Sequence, residues 1–238
     1  MTPIAMPPTP LALAEPHWLD GWRALRGRYE SAAARPAASE AALRQELCFC
    51  LLGGHAVSYE LARSATDVVM ALDPFDPRWS GAELCRAIEG ELSAAKFDPR
   101  RRDGSLRRYR FPARKAALLG SAAAWVGVGA GLGVDLRRSR SEGERREWLC
   151  GCPGIGPKSA SWFLRNTGYA ENLAILDVHI LRAMRDAGRL GTLELPRDYL
   201  AVEARFRTWC EEIGASVAAF DLFLWEWQRG DIAPLQAA

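Results

Sequence analysis

Lysine is nearly missing from this chain. Only Lys96, Lys115 and Lys158 stand among 31 basic residues, and all the others are arginine. Long apolar runs are missing too: none approaches the roughly 20 residues that a membrane-crossing helix needs. The opening stretch MTPIAMPPTPLALAEP has no basic n-region and is broken by prolines. It reads as a flexible tail over residues 1–16 rather than a signal peptide, which argues for a cytoplasmic protein with no membrane association. The six cysteines form no C-x-x-C pair, and no histidine stands at zinc-ligand spacing from them. An iron–sulfur cluster needs four closely spaced thiolates, and the C-terminal region offers only Cys210, so none is expected. Buried free thiols in a reducing compartment are the expectation.

Strong net charge is lacking as well. The total is +2, so the whole-chain value does not announce a nucleic-acid partner, and distribution matters more. No internal repeat is visible. The glycines of GVGAGLGV, residues 127–134, alternate and miss the G-x-G-x-x-G spacing, so this stretch reads as a mobile connection between helices. Strand alternation bounded by hairpin turns is absent too.

What remains is helical. A chain of 238 residues suits one large domain or two small packed ones. SEAALRQELCFCLLGG offers a serine cap at Ser39 and a Gly-Gly stop. SYELARSATDVVMAL, SGAELCRAIEGELSAAKF, PARKAALLGSAAAWVGV, DVHILRAMRDAG, PRDYLAVEARFRTWCEEIG and SVAAFDLFLWEWQRG carry further helical patterns. The fold class is all-α. One locally basic stretch, DPRRRDGSLRRYRFPARK at 98–115, interleaves arginine with Tyr109 and Phe111. A charge run is usually a solvated loop. Arginine, however, bonds phosphate bidentately and stacks on bases, which keeps nucleic-acid contact open on equal terms.

The chemistry concentrates at GCPGIGPKSASWF, residues 151–163. SEGERREWLC reads as a helix stopped by Pro153. Gly154 and Gly156 are expected in conformations that other residues avoid. Pro157 then opens the next helix, where its missing N–H costs nothing. The pattern predicts two helices joined by a tight hairpin, over about 142–168, whose outward N–H groups form an anion site. Lys158 lies just inside the second helix, and Asp177 follows 19 residues on at the expected start of another. Taken singly, the turn could be inert, Lys158 a solvent-facing residue and Asp177 a plain N-cap.

Together, LCGCPGIGPKSASWFLRNTGYAENLAILDVHILRAM resembles the helix-hairpin-helix/Gly-Pro-Asp signature of the DNA base-excision glycosylases. The lysine after the hairpin resembles the bifunctional glycosylase/lyases. KSASWFLRN-G and LAILDVHILR are most similar to the compact 8-oxoguanine DNA glycosylase/AP lyases of archaea and some bacteria. ELCFCLLGGHAVSYELA, YRFPARKA and FDLFLWEWQRG agree in order, so the resemblance spans roughly residues 40–230, within a single domain read as 17–230 with a tail at 231–238.

The resemblance implies two helical subdomains flanking a DNA-binding cleft, one built from the N- and C-terminal helices, the other from the middle helices and the hairpin. It implies Lys158 as an amine nucleophile and Asp177 as the carboxylate that stabilises charge developing on the sugar. Phosphate contacts would come from Gly154, Ile155, Gly156, Lys158, His179, Arg110, Arg114 and Lys115. Base-pocket or intercalating residues would be His55, Asp221, Phe223 and Trp225, where Asp221 stands out as a carboxylate in an apolar run. No cofactor is implied, apart from an accessory monovalent cation at the hairpin carbonyls of Cys152 and Ile155. The partner would be double-stranded DNA carrying a modified base, met by a monomer. The compact archaeal enzymes end in a lysine used on the oxidised guanine. This chain runs on through DIAPLQAA to Ala238, so its pocket is expected to close differently. Open alternatives are the same chemistry on another or bulkier base, such as a hypermodified phage base, and a non-catalytic helix-hairpin-helix DNA-binding module.

Overall fold

The structure, a computed structural model, describes residues 18–33, 37–54, 56–138 and 141–230. The segments read above as tails, 1–16 and 231–238, and the candidate His55 lie outside the described residues. The chain opens with helices α1 (Trp18–Ala33), α2 (Glu40–Leu52), α3 (Tyr59–Met70) and α4 (Gly81–Ser93). Strands β1 (Ala95–Phe97) and β2 (Arg107–Arg108) follow, paired antiparallel as a small ribbon. Then come α5 (Pro112–Val128), α6 (Leu132–Arg138), α7 (Glu142–Cys150) and α8 (Pro157–Asn166). The last three are α9 (Val178–Asp186), α10 (Tyr199–Glu212) and α11 (Val217–Arg229).

Local sequence explains most of the helix starts. Ser39, Ser58, Ser80, Ser141 and Ser216 each accept a backbone N–H at the first turn of α2, α3, α4, α7 and α11. At α4 and α7 the box is completed by Glu83 and Glu144. The stretch 127–134 departs from the sequence expectation. Helix α5 runs on to Val128 and α6 begins at Leu132, so only three residues connect them. The cause is remote: Glu40 caps α6, its carboxylate accepting from Leu132 N (3.0 Å) and Gly133 N (2.9 Å). The β1–β2 ribbon was also not expected; it organises the arginine stretch.

Two hydrophobic cores form. The first joins α2 through α8, with Leu47, Leu51, Ile88, Leu119, Leu149 and Phe163 at its centre. The second joins α1 to α9, α10 and α11, around Trp18, Trp22, Phe206, Phe220 and Phe223. This is the expected division into terminal and middle helices. Segment 173–176 crosses from one core to the other, Leu173 belonging to the first and Ala174 and Leu176 to the second.

Two buried ion pairs staple the crossing. Arg146 on α7 binds both oxygens of Glu203 on α10 (2.6 and 2.7 Å), and Glu203 also accepts from Ala174 N. Arg165 on α8 meets Asp221 on α11 (3.4 Å) and donates to the carbonyls of Leu173 and Ala218. All six cysteines are free; Cys48, Cys50, Cys152 and Cys210 are buried. Burial pushes the Cys48 and Cys152 thiols up to about 12. Among the described residues no single helix is long and apolar enough to cross a membrane. The bent pair α5–α6 approaches that composition because its apolar faces fill the first core.

Candidate active site

The hairpin between α7 and α8 is shaped by one glycine rather than two. Gly154 has φ +87, and a Cβ there would meet Leu51 and Leu118 at 3.0 Å, so both conformation and space demand glycine. Gly156 is extended (φ −105, ψ 179), a conformation open to any residue, which corrects the expectation for it. Nothing lies within 4 Å of a Cβ at Gly156, so the hairpin surface there is open. Gly156 is the N-cap of α8 and Pro157 its first residue, with no side chain capping the turn. The first N–H groups of α8 are thus left without a side-chain acceptor, beneath open space. Ile155 is buried in the first core; its backbone N–H closes the turn on the Cys152 carbonyl at 3.0 Å.

Asp177 caps α9, its Oδ1 accepting from His179 N (2.8 Å) and Ile180 N (3.1 Å). Between α8 and α9 lies a cavity of about 1150 Å³ at the junction of the two cores. Lys158, Asp177, His179, Asp221 and Trp225 all line it, so five of the candidates converge. His179 lines the cavity, and its Nδ1 is buried without a hydrogen-bond partner among the described residues. The Trp225 ring is covered by the Arg229 guanidinium at 4.4 Å, and Arg229 also pairs with Glu60 on α3 across the mouth.

Asp221 has the partner that its burial requires. Its Oδ2 takes the Arg165 contact and the N–H of Ile175 (2.6 Å), two residues before Asp177. Burial nevertheless raises its carboxyl to about 6, against the lowering effect of Arg165 and the Ile175 N–H. It thus fixes the segment leading to Asp177 as well as lining the cavity.

Four candidates sit elsewhere. Phe223 is fully buried in the second core, packed on Trp22, Tyr29 and Trp227, and does not line the cavity. It falls on the face of α11 that meets α1, a phase that the helix sequence alone does not reveal. Lys115 is turned inward: its ammonium donates to the carbonyls of Leu51 and Gly53 and closes the end of α2. Burial lowers its pKa, with Arg114 adding to the effect. It is therefore a structural cap and not a free phosphate ligand. Arg110 and Arg114 are exposed outside the cavity, Arg110 over the Phe111 ring at 5.1 Å.

The cavity also holds residues that sequence reasoning passed over. Trp162 carries the Lys158 ammonium at 5.8 Å from its ring centre. Glu46 on α2 accepts from Asn166 (2.8 Å) and from the Cys50 thiol (3.7 Å) on the same wall. The signal was present: Lys158, Trp162 and Asn166 recur every four residues and so share one face of α8.

A family model described as 8-oxoguanine DNA glycosylase matches residues 79–215, more than half of the chain. The chain belongs to the 8-oxoguanine DNA glycosylase family. A curated relative from Fusobacterium nucleatum, named 8-oxoguanine DNA glycosylase/AP lyase, is 40% identical over 93 residues, 37% of this chain and 43% of the relative. One of the same name from Metallosphaera sedula is 34% identical over 125 residues, 52% of this chain and 61% of the relative. The chain thus matches about half the length of these relatives. The solved 8-oxoguanine DNA glycosylase of Thermotoga maritima superposes with a TM-score of 0.60 at 25% identity, covering 93% of this chain and 94% of that one. The Methanocaldococcus jannaschii 8-oxoguanine glycosylase/lyase, solved with a 15mer DNA containing 8-oxoguanine, gives 0.57 at 23% identity, covering 81% and 83%. The glycosylase fold and the family of this mostly helical chain agree with the resemblance in its sequence.

Proposed function

We propose that this chain is a bifunctional DNA glycosylase/AP lyase that removes 8-oxoguanine from duplex DNA. The observation that carries the reading is Lys158 and Asp177 lining one cavity beside an uncapped hairpin N-terminus. The target nucleotide leaves the stack to enter the cavity, while the α8 N–H groups and His179 hold phosphate and fix the strand. The Lys158 amine, once deprotonated, attacks C1′. The bond from C1′ to the base breaks, and its electron pair leaves with the base, which takes up a proton. Asp177 stabilises positive charge on the sugar as this happens. The sugar ring opens to a Schiff base, a proton leaves C2′, and the bond to the 3′ oxygen breaks.

No cofactor takes part in these steps. The Cys152 carbonyl accepts one hydrogen bond and retains a lone pair, so it and the Ile155 carbonyl suit a monovalent cation. Such an ion would add positive charge where phosphate binds. The protein is expected to act as a cytoplasmic monomer.

Borohydride trapping on an abasic-site duplex tests the mechanism. The wild type should cross-link and Lys158→Gln should not; undiminished trapping in Lys158→Gln removes the lysine from the reaction. Substrate is tested by base release from duplexes each carrying one modified base. A cavity of about 1150 Å³ exceeds the roughly 300–1,000 Å³ of ordinary ligand pockets, which favours a bulkier base as the second reading. Release of a bulkier base with 8-oxoguanine untouched would establish it.

A further inference from the structure

Charge in this molecule is segregated. Residues 99–114 hold seven arginines and one aspartate, a net +6, which leaves −4 for the rest of a chain whose total is +2. All seven arginines are exposed, and none forms an ion pair with a carboxylate among the described residues. Ten arginines elsewhere do have such a partner. The single aspartate, Asp103, is occupied by Ser105, whose N–H and hydroxyl it accepts at 2.9 and 2.6 Å. The lysine of the same ribbon, Lys96, is paired with Glu91. The ribbon therefore keeps a net excess of positive charge, with no carboxylate in ion-pair contact with its arginines among the described residues.

This is not a loose charged loop. Arg100 and Arg107 donate to the carbonyls of Gly104 and Pro99 (2.8 and 2.6 Å), which folds the tip. At the base, Phe97 and Tyr109 are buried in the first core, and Asp98 N donates to Ser64 on α3. The Tyr109 hydroxyl donates to the Leu52 carbonyl, beside the Lys115 bonds to Leu51 and Gly53. Gly53 and Gly54 line the cavity, and Gly154 of the hairpin packs on Leu51 and Leu118. The ribbon is therefore fixed to the same edge as the hairpin and the cavity rim.

We propose that this ribbon is a second DNA-binding surface, in which Arg101, Arg102 and Arg108 grip phosphates of the duplex to one side of the target nucleotide. Like-charged arginines held together repel one another, and a run of phosphates relieves that repulsion while releasing counterions. The contact reads charge rather than sequence. Its position beside the cavity rests on the glycosylase reading; the binding itself does not.

Affinity for an undamaged duplex, measured across a salt series, tests it. Each phosphate neutralised contributes about −0.9 to the slope of log K against log salt. The triple variant Arg101→Gln, Arg102→Gln, Arg108→Gln should flatten the slope by about two to three and weaken binding at least about tenfold near 0.15 M salt. The matched lysine triple should keep the slope. Extending the duplex on one side of a central abasic site should widen the gap between wild type and glutamine variant, and extending the other side should not. Thermal unfolding checks that both variants fold; should the glutamine triple misfold, single Arg101→Gln and Arg108→Gln variants should each flatten the slope by about one. An unchanged slope, or a gap of the same size on the shortest duplex, overturns the proposal. Wild-type protein that fails to cross-link yet shows the slope difference would retire the glycosylase reading and leave the ribbon standing.

Discussion

The carboxylate of Asp177 serves the fold and faces the cavity at once, and the two roles separate by substitution. Asparagine caps helices as well as aspartate, so Asp177→Asn should change stability by less than about 1 kcal/mol. The same variant should slow base release by about a hundredfold or more in single-turnover assays, because the lost charge acts on the transition state. Equal loss of stability and rate would mean that Asp177 is only a cap. Asp221 makes a pH prediction. Its carboxyl is raised to about 6, so the folded state holds the proton more tightly than the unfolded chain. That contribution is fully present below about pH 4 and is lost as pH rises through about 6. The stability difference between wild type and Asp221→Asn, from urea titrations, should therefore fall by about 2–3 kcal/mol over that window. That Lys158 and Asp177 share one cavity was legible in the sequence, because both stand in one contiguous motif. Lys115 was not, since its acceptors lie more than 60 residues away at the end of another helix. Phe223 stands two residues from Asp221 and so off the face that Asp221 shares with Trp225, but which face is covered shows only once α1 is in place.

The hairpin carries a test of its own at the scale of the element. Gly154→Ala forces a left-handed conformation on alanine and pushes Cβ into Leu51 and Leu118, so it should destabilise by about 1–3 kcal/mol. Gly156→Ala meets nothing in the protein and should unfold like the wild type, yet its methyl group occupies the space a phosphate would take. Its DNA affinity should fall severalfold or more; wild-type affinity would show that the phosphate sits elsewhere. Helix starts were readable wherever the cap is local, as at Ser80 and Ser141. The start of α6 was not, because Glu40 supplies its cap from across the core. The ribbon was equally hidden, since three residues paired with two are too short to display alternation.

For the whole molecule, the two cores are joined by few elements, and the ion pairs at the crossing hold them in register. Removing one partner leaves a buried charge, so Glu203→Ala should cost about 3–5 kcal/mol by denaturant unfolding. Replacing both partners with apolar residues, as in Arg146→Met with Glu203→Leu, should recover most of that loss. Failure of the double variant to recover would place the value of the pair in its further bonds to Ala174 N and Ser161. The division into terminal and middle helices also sets an order on synthesis. Helix α1 leaves the ribosome before the helices it packs on, yet Trp18 and Trp22 pack on Phe220 at 5.8 and 5.1 Å, some two hundred residues later. The middle helices can complete their core as soon as they emerge. The α1 tryptophans must wait, uncovered, until α11 arrives. In a nascent chain, the apolar face of α1 is therefore left longer in need of a chaperone than the faces of the middle helices.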